Sequence, residues 1–573
     1  MSDRMIRQML RAAAVVAIGA LALSACTGLP TSGDVNVGLE LGESPDDTDF
    51  LPLASGPAPG ADPQEIVEGF MEAAITPADN WEIARRFLTP EMQRSWRPGT
   101  GVAVDVSALD RTVASSVGQE TVEEAETAEV QVLLDQVASV DESGEYSPSP
   151  GPSNLAFAVE REPDGEWRIS QAPDGTVIDQ ERFSRVFEGY PLQYFDSTWS
   201  RLVPDVRWFP RRASIATTVA QALIGGAPSE WLEPAVQSAF PADVQLAQDA
   251  VPINSSQVAE VALTRAASTL DQTTLGRMRT QLQETLRAAG VRISQVRFVV
   301  DGRALDAPLA DTVEPTPETG PLILAADAFG AIVGDEITPL DGISEEILGI
   351  ADPIASIDVA ADDSRAAVQL ADGRVYLAAD GRLDELDTPP SVVPPSLDPY
   401  GYTWTVPAGE PAALQAWEPD VSPRQIAGAW PNASSVLRLR VSGDGARVAA
   451  VVAVGGQQWI VVAAIVRDET GVPVELGPLK QLTQIEGDVE GLAWVGDYRL
   501  SVLADPSSPD LLTQMVGGVG FVETAPTGST SLAGARTAAG TRILAGGSLY
   551  AHAGSAWREV ATDVRVLATR AGQ

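Results

Sequence analysis

The side chains that do most covalent and metal chemistry are nearly missing from this sequence. Its 573 residues hold one cysteine, Cys26, one histidine, His552, and one lysine, Lys480. One cysteine and one histidine cannot build a Cys/His metal cluster. A Ser-His-Asp hydrolase would have to use His552, in "SLYAHAGSAW", yet no Gly-x-Ser-x-Gly elbow occurs. A phosphate loop needs Gly-x-x-x-x-Gly-Lys, and Lys480 sits in "GPLKQL". EF-hand spacing and a dinucleotide fingerprint are lacking; "EPDGEW" and "SGDGAR" read as turns. A carboxylate pair for glycoside hydrolysis could hide among the 79 acids, but no spacing singles one out. The chain therefore reads as non-enzymatic, with no catalytic residue, cofactor or metal. A cryptic hydrolase is the catalytic alternative.

Cys26 has a different chemistry in view. Arg4, Arg7 and Arg11 precede an apolar run, Ala12–Leu23, which is too short to span a bilayer core of about 30 Å. Small residues Ser24 and Ala25 then lead into the cysteine. Leu-Ser-Ala-Cys matches the lipobox of bacterial lipoproteins. That match implies a signal peptide over residues 1–25, cleavage between Ala25 and Cys26, and a diacylglycerol on the Cys26 thiol. Two acyl chains make a stable anchor where one is marginal. The expected location is the cell membrane, lipid-anchored on its extracytoplasmic face. An ordinary signal peptide beside an incidental cysteine is the bland alternative.

Composition narrows the partners. About 550 residues would follow the signal, enough for three or four domains. The net charge is −41. Nucleic acid needs a basic footprint, so it is excluded as a partner. Lying flat on anionic lipid is also disfavoured. A basic partner, or simple solubility, accounts for the acidity.

The elements that must position any site fall into successive regions. Residues 26–61 are rich in Gly, Pro, Ser and Asp and read as a flexible tether. Residues 62–188 begin with helical spacing at Ile66, Phe70, Ala73, Ile83 and Phe87. Pro63 suits a first turn, Asp79 is placed to cap a second helix, and Pro90 to end it. From Val102 to Ile178 the pattern alternates with period two, with a hairpin at Asp164-Gly165. Helices followed by an antiparallel sheet give an α+β domain. It resembles NTF2-like domains.

Residues 189–303 form an α/β unit. "LQYFD", "RLVPDVRWFP", "VQLAQDAVPI" and "QVAEVALT" read as strands, and "SIATTVAQALIGGAPSE" as a helix. A longer helix over about 270–289 places Leu275, Met278, Leu282 and Leu286 on one core-facing side. Thr269 with Gln272 fits a capping box, and Gly290 a stop. Residues 304–320 read as a linker.

Residues 321–573 are all-β. "ASIDVAADDSRAAVQLADGRVYLAADGRLDEL" is four short strands joined by Asp-rich turns, the size of one propeller blade. Similar signals recur near Asp398, Asp444, Asp497 and Gly540, roughly 36 to 53 residues apart. Three strands in "PLILAADAFGAIVGDEITPL" and one in "VRVLATR" would complete a sixth blade from both ends of the region. Six blades are expected, with five or seven, or a pair of β-sandwiches, as alternatives.

The combination resembles the LpqB lipoprotein family of actinobacteria. Its middle unit is similar to a GerMN domain, on "YPLQYFDSTWSRLVPDVRWFP", "ALIGGAPSEWLEPAVQSAFP" and "GVRISQVRFVVDGRAL". The resemblance implies a non-enzymatic accessory of a two-component system in cell-envelope homeostasis and division. Its implied partner is the extracytoplasmic domain of a sensor histidine kinase. The alternative is a scaffold binding cell-wall glycan or peptide, with Trp404, Trp417 and Trp494 as candidate stacking residues, although aromatic residues in such strands more often fill the core.

Overall fold

The computed structural model describes residues 55–572, except 118–124, 212–213, 314–319, 335, 387, 390, 506–508 and 555. Cys26, the signal and most of the tether lie outside the described residues.

The N-terminal part opens with helix α1 (Pro63–Ala74). Asp62 accepts from the Glu65 amide at 2.9 Å, and the Glu65 carboxylate accepts from the Asp62 amide at 2.9 Å. This reciprocal box, with Pro63 at the first position, fixes the helix start. The second helix differs from expectation. It is one short turn, α2 (Glu82–Arg85), entered through Trp81 in a left-handed conformation and with no side-chain cap. Pro90 does not end it. Pro90 starts α3 (Pro90–Ser95), with Thr89 accepting from the Met92 amide. Proline is preorganised for a first turn, whose amide has no partner anyway, so it begins a helix as readily as it stops one.

Six strands follow: β1 (Gly101–Asp105), β2 (Thr112–Ser116), β3 (Thr127–Asp141), β4 (Tyr146–Arg161), β5 (Trp167–Gln171) and β6 (Thr176–Asp179). They run in the order β5-β4-β3-β1-β6, with β2 also on β3. Only β1 and β6 pair in parallel. Period-two burial along β3 puts Val130 and Val132 inward, where Ile66, Val67 and Phe70 of α1 meet them.

Helix α4 (Gln180–Val186), capped by Asp179, runs directly into the middle part. There β7 (Phe187–Asp196), β8 (Leu202–Pro210) and β9 (Val236–Gln237) form one sheet, with helix α5 (Ile215–Gly225) between β8 and β9. β10 (Val258–Ala262), β11 (Gln295–Val300) and β12 (Arg303–Ala304) form another. Helix α6 (Gln272–Ala288) makes the crossover between parallel β10 and β11. Leu275, Met278, Leu282 and Leu286 are buried as the periodicity requires. Its cap is Asp271, which accepts from the Thr274 amide at 2.9 Å, and not the Thr269 box. Asp at N-cap bonds as strongly as Thr and lies next to the first apolar turn, so it wins the position. "VQLAQDAVPI" is not a strand. It contributes only isolated bridges, Leu246 to Leu263 and Ile253 to Ala259. Residues 305–313 are held along the middle part, with the Val313 amide donating to Ser200 O at 2.8 Å.

The C-terminal region is a series of antiparallel meanders. β13 (Leu322–Leu324), β14 (Phe329–Val333) and β15 (Glu336–Thr338) come first, then the short helix α7 (Ser344–Leu348). β16 to β19 are Ile354–Val359, Arg365–Leu370, Val375–Ala379 and Arg382–Leu386. β20 to β23 are Ser396–Leu397, Thr403–Thr405, Gln415–Trp417 and Pro423–Gln425. β24 to β27 are Ser435–Val441, Arg447–Val454, Gln457–Arg467 and Pro473–Ile485. β28 to β31 are Val489–Val495, Arg499–Ala504, Asp510–Met515 and Gly520–Thr524. β32 to β35 are Ser529–Ala533, Arg542–Ala545, Ser548–Ala553 and Ala556–Ala561, and β36 (Val566–Arg570) is last.

β36 pairs antiparallel with β13, setting Leu322 opposite Ala568, and in parallel with β16, setting Asp358 opposite Thr569. These two pairings, one antiparallel and one parallel, join two meanders into one eight-stranded sheet; the other four sheets of this region have four strands each, and none closes on itself. First strands touch in succession: β16 meets β20, then β24, β28, β32 and β36 follow, each beside the one before.

Candidate functional site

The charged residues that the sequence left unassigned are brought together at seams. Three parts of the chain meet around Trp208 on β8. Its backbone N–H donates to Gly144 O at 2.8 Å, in the β3–β4 turn. Its indole Nε1 donates to Gly517 O at 2.8 Å, in the turn after β30. Its ring lies 4.8 Å from Phe183 and 6.0 Å from Tyr146. One side chain therefore touches all three parts. The next residue back, Arg207, is buried against Asp205 at 2.8 Å and also donates to Ser143 Oγ at 2.5 Å. Burial works against its charge, but the Asp205 carboxylate holds its pKa above the usual value. Asp205 in turn accepts from the Ser229 amide and hydroxyl.

Lys480 belongs to the same seam. Its ammonium lies 2.7 Å from Glu145 Oε1 and 6.0 Å from the Trp231 ring centroid. The side chains are 10% and 23% exposed, so water screens the pair only in part. The single lysine of the chain is thus a strut between the N-terminal and C-terminal regions. A second seam joins the middle part to the meanders. The Tyr400 hydroxyl donates to Asp196, and Ser197 Oγ donates to Asp468 O at 3.3 Å. Burial, then Asp196, pushes Tyr400 up to about 12, so its hydroxyl stays protonated and donating. Behind it, Arg467 sits 4.3 Å from the Tyr400 ring centroid and 2.6 Å from Asp398.

Two apolar cavities of about 240 Å³ each flank β1. One, lined by Trp81, Phe187, Trp208 and Phe209, lies between the N-terminal and middle parts. The other, lined by Phe70, Met71, Leu155 and Phe157, lies between α1 and the sheet. Both share Gly101, Val102, Val140 and Thr176.

His552 lies in β34, with Nε2 2.8 Å from Glu523 Oε1 on β31 and its ring edge-on to Trp557. It links two neighbouring sheets. Trp404, Trp417 and Trp494 are buried, each indole N–H donating internally, to Asp398, Thr405 and Arg440 O. None presents a face to a sugar ring, so the stacking role is overturned; flat aromatic rings fill the space where sheets pack. Among the described residues no group of three or more His, Cys, Asp or Glu is placed to hold a metal. No described helix is long and apolar enough to cross a membrane. Many acids go into turns: Asp362, Asp372, Asp398, Asp420 and Asp468 each accept the amide two residues on. Sequence reasoning missed Trp208, Glu145 and Asp196, whose partners lie hundreds of residues away; the one available signal was the rarity of lysine.

The architecture is that of a multidomain protein with a helix-and-sheet part, an α/β part and propeller-like meanders. Residues 56–184 match the family model "Lipoprotein LpqB, N-terminal domain" and 327–567 "Lipoprotein LpqB beta-propeller domain". Residues 191–306 match "Sporulation and spore germination". The two LpqB models together cover well over half the chain, and the chain belongs to the LpqB lipoprotein family. A Lipoprotein LpqB of Thermobifida fusca is 32% identical over 53% of this chain and 49% of its own length, so that match spans about half of the relative. One of Streptomyces coelicolor is 26% identical over 87% of this chain and 86% of its own. A solved structure of tandem GerMN domains of the sporulation protein GerM from Bacillus subtilis is 15% identical, with a TM-score of 0.19 over 35% of this chain and 62% of that chain.

Proposed function

We propose that this protein is a non-enzymatic accessory of a two-component sensor kinase in cell-envelope homeostasis and division. It is anchored through acylated Cys26 on the extracytoplasmic face of the membrane. The N-terminal part is read as NTF2-like, and the meanders as six blades in a ring joined by β36. The succession of first strands supports the ring. The observation that carries the role is the seam at Trp208, Arg207 and Lys480, which ties all three parts together. Charged groups there are spent on holding domains in register, as a platform that presents fixed surfaces requires. The family name, lipoprotein, supports the anchor.

Crosslinking in cells, followed by mass spectrometry of the attached protein, tests the reading. A sensor-kinase extracytoplasmic domain is the expected product. Wall polymer or wall-synthesis enzymes without a kinase would overturn it. Cys26→Ala is expected to release the protein from the membrane; unchanged signalling by protein released wholly to the medium would also count against the role.

A further inference from the structure

Among the described strands of the N-terminal sheet, β2, β5 and β6 each pair with a single strand, and β2 has the barest edge. β2 pairs with β3, from Thr112 opposite Leu133 to Ser116 opposite Glu129, and with no other described strand. Natural edge strands are usually blunted by charge, proline or a bulge. The five residues Thr-Val-Ala-Ser-Ser carry none of these, and their register with β3 is unbroken. Val113 faces the core side and the other four residues are exposed.

Apolar side chains stand beside this edge. Leu109, just before β2, is 95% exposed, Leu133 is 49% exposed and Val106 41%. Thr112 sits opposite Leu133, and the Val106 amide donates to Asp135 O, so the three flank the start of β2. The rim is acidic: Asp110, Glu126, Glu129 and Asp135 are exposed. Arg111, within the same stretch, is turned inward onto Asp105 at 2.7 Å and is only 8% exposed. Its charge therefore does not offset the rim.

We propose that the β2 edge is a docking site for an extended segment of a protein partner, added as a further strand, with alternating apolar and basic side chains. The open ladder supplies main-chain hydrogen bonds. Leu109, Leu133 and Val106 supply the apolar contact, and the carboxylates select basic residues. A second copy of this chain would bring the same carboxylates and a charge of −41, so it is the wrong occupant. This assignment stands apart from the kinase reading, since it specifies a surface and a segment chemistry.

The test is amide hydrogen exchange of the full chain with an octapeptide of alternating valine and arginine, against one of alternating valine and glutamate. Exchange at residues 112–116 should slow about tenfold with the basic peptide alone. The double variant Leu109→Asp/Leu133→Asp should abolish that slowing. Both positions are exposed, and unchanged protection of α1 confirms that the variant folds. No slowing at 112–116, equal slowing by the acidic peptide, or undiminished slowing in the variant would each overturn the assignment.

Discussion

Arg467–Asp398 and Lys480–Glu145 are ion pairs of nearly equal length, 2.6 and 2.7 Å. Their surroundings differ. Asp398 is fully buried within the meanders and also accepts from the Trp404 indole and the Tyr400 and Tyr402 amides. Arg467 donates further to Gly445 O and Gly471 O. Both charges lie away from water and are matched by each other and by these hydrogen bonds. The Lys480–Glu145 pair is partly wetted and joins two parts that each have a core. The same chemistry therefore holds a fold in one place and a domain arrangement in the other.

Removing one side of each pair separates these roles. Arg467→Met leaves the Asp398 carboxylate buried without its cation. The expected loss is about 3–5 kcal/mol, read as a lower denaturation midpoint for the C-terminal region. The double variant with Asp398→Asn should recover part of it. A loss as small as that of a surface pair would erase the distinction.

Trp208→Phe keeps the aromatic packing but strips the bond to Gly517 O. About 1–2 kcal/mol is expected, with faster exchange in the 141–146 turn if the seam opens as a unit. Faster exchange at Gly517 alone would show that the seam does not open as a unit.

Lys480→Met should cost about 1 kcal/mol, and salt should weaken the wild-type pair, as for a partly exposed ion pair. A double-mutant cycle with Glu145→Gln measures the coupling directly. Zero coupling would leave the seam to Trp208 and Arg207.

The smallest effect lies at Asp179, where α4 leads into the middle part. Burial opposes its charge, but Arg182 holds its carboxyl below the usual range. A depressed carboxylate contributes stability above its unfolded pKa and loses it as pH falls through the lower folded value. The gap between wild type and Asp179→Asn should thus be full at neutral pH and close below about pH 4. A gap that persists in acid would assign the effect to capping alone.

Much of the layout was legible because it is local. Short runs between Asp-rich turns located β16 to β19, and the spacing of Leu275, Met278, Leu282 and Leu286 located the buried face of α6. Where two local signals competed, the sequence misplaced detail: Asp271 took the cap from Thr269, and Pro90 opened a helix instead of closing one. The stretch "VQLAQDAVPI" alternates like a strand, yet pairs only through single bridges.

What the sequence determined by itself is the chemistry available: one cysteine, one histidine, one lysine, an excess of carboxylates, and turn residues at repeated intervals. What only the tertiary structure decided is where those charges are spent. Glu145 and Lys480 are 335 residues apart, and Asp196 and Tyr400 are 204 apart. No periodicity along the chain encodes such pairs. They form because packing brings two surfaces together and leaves buried charges that must be matched across the contact.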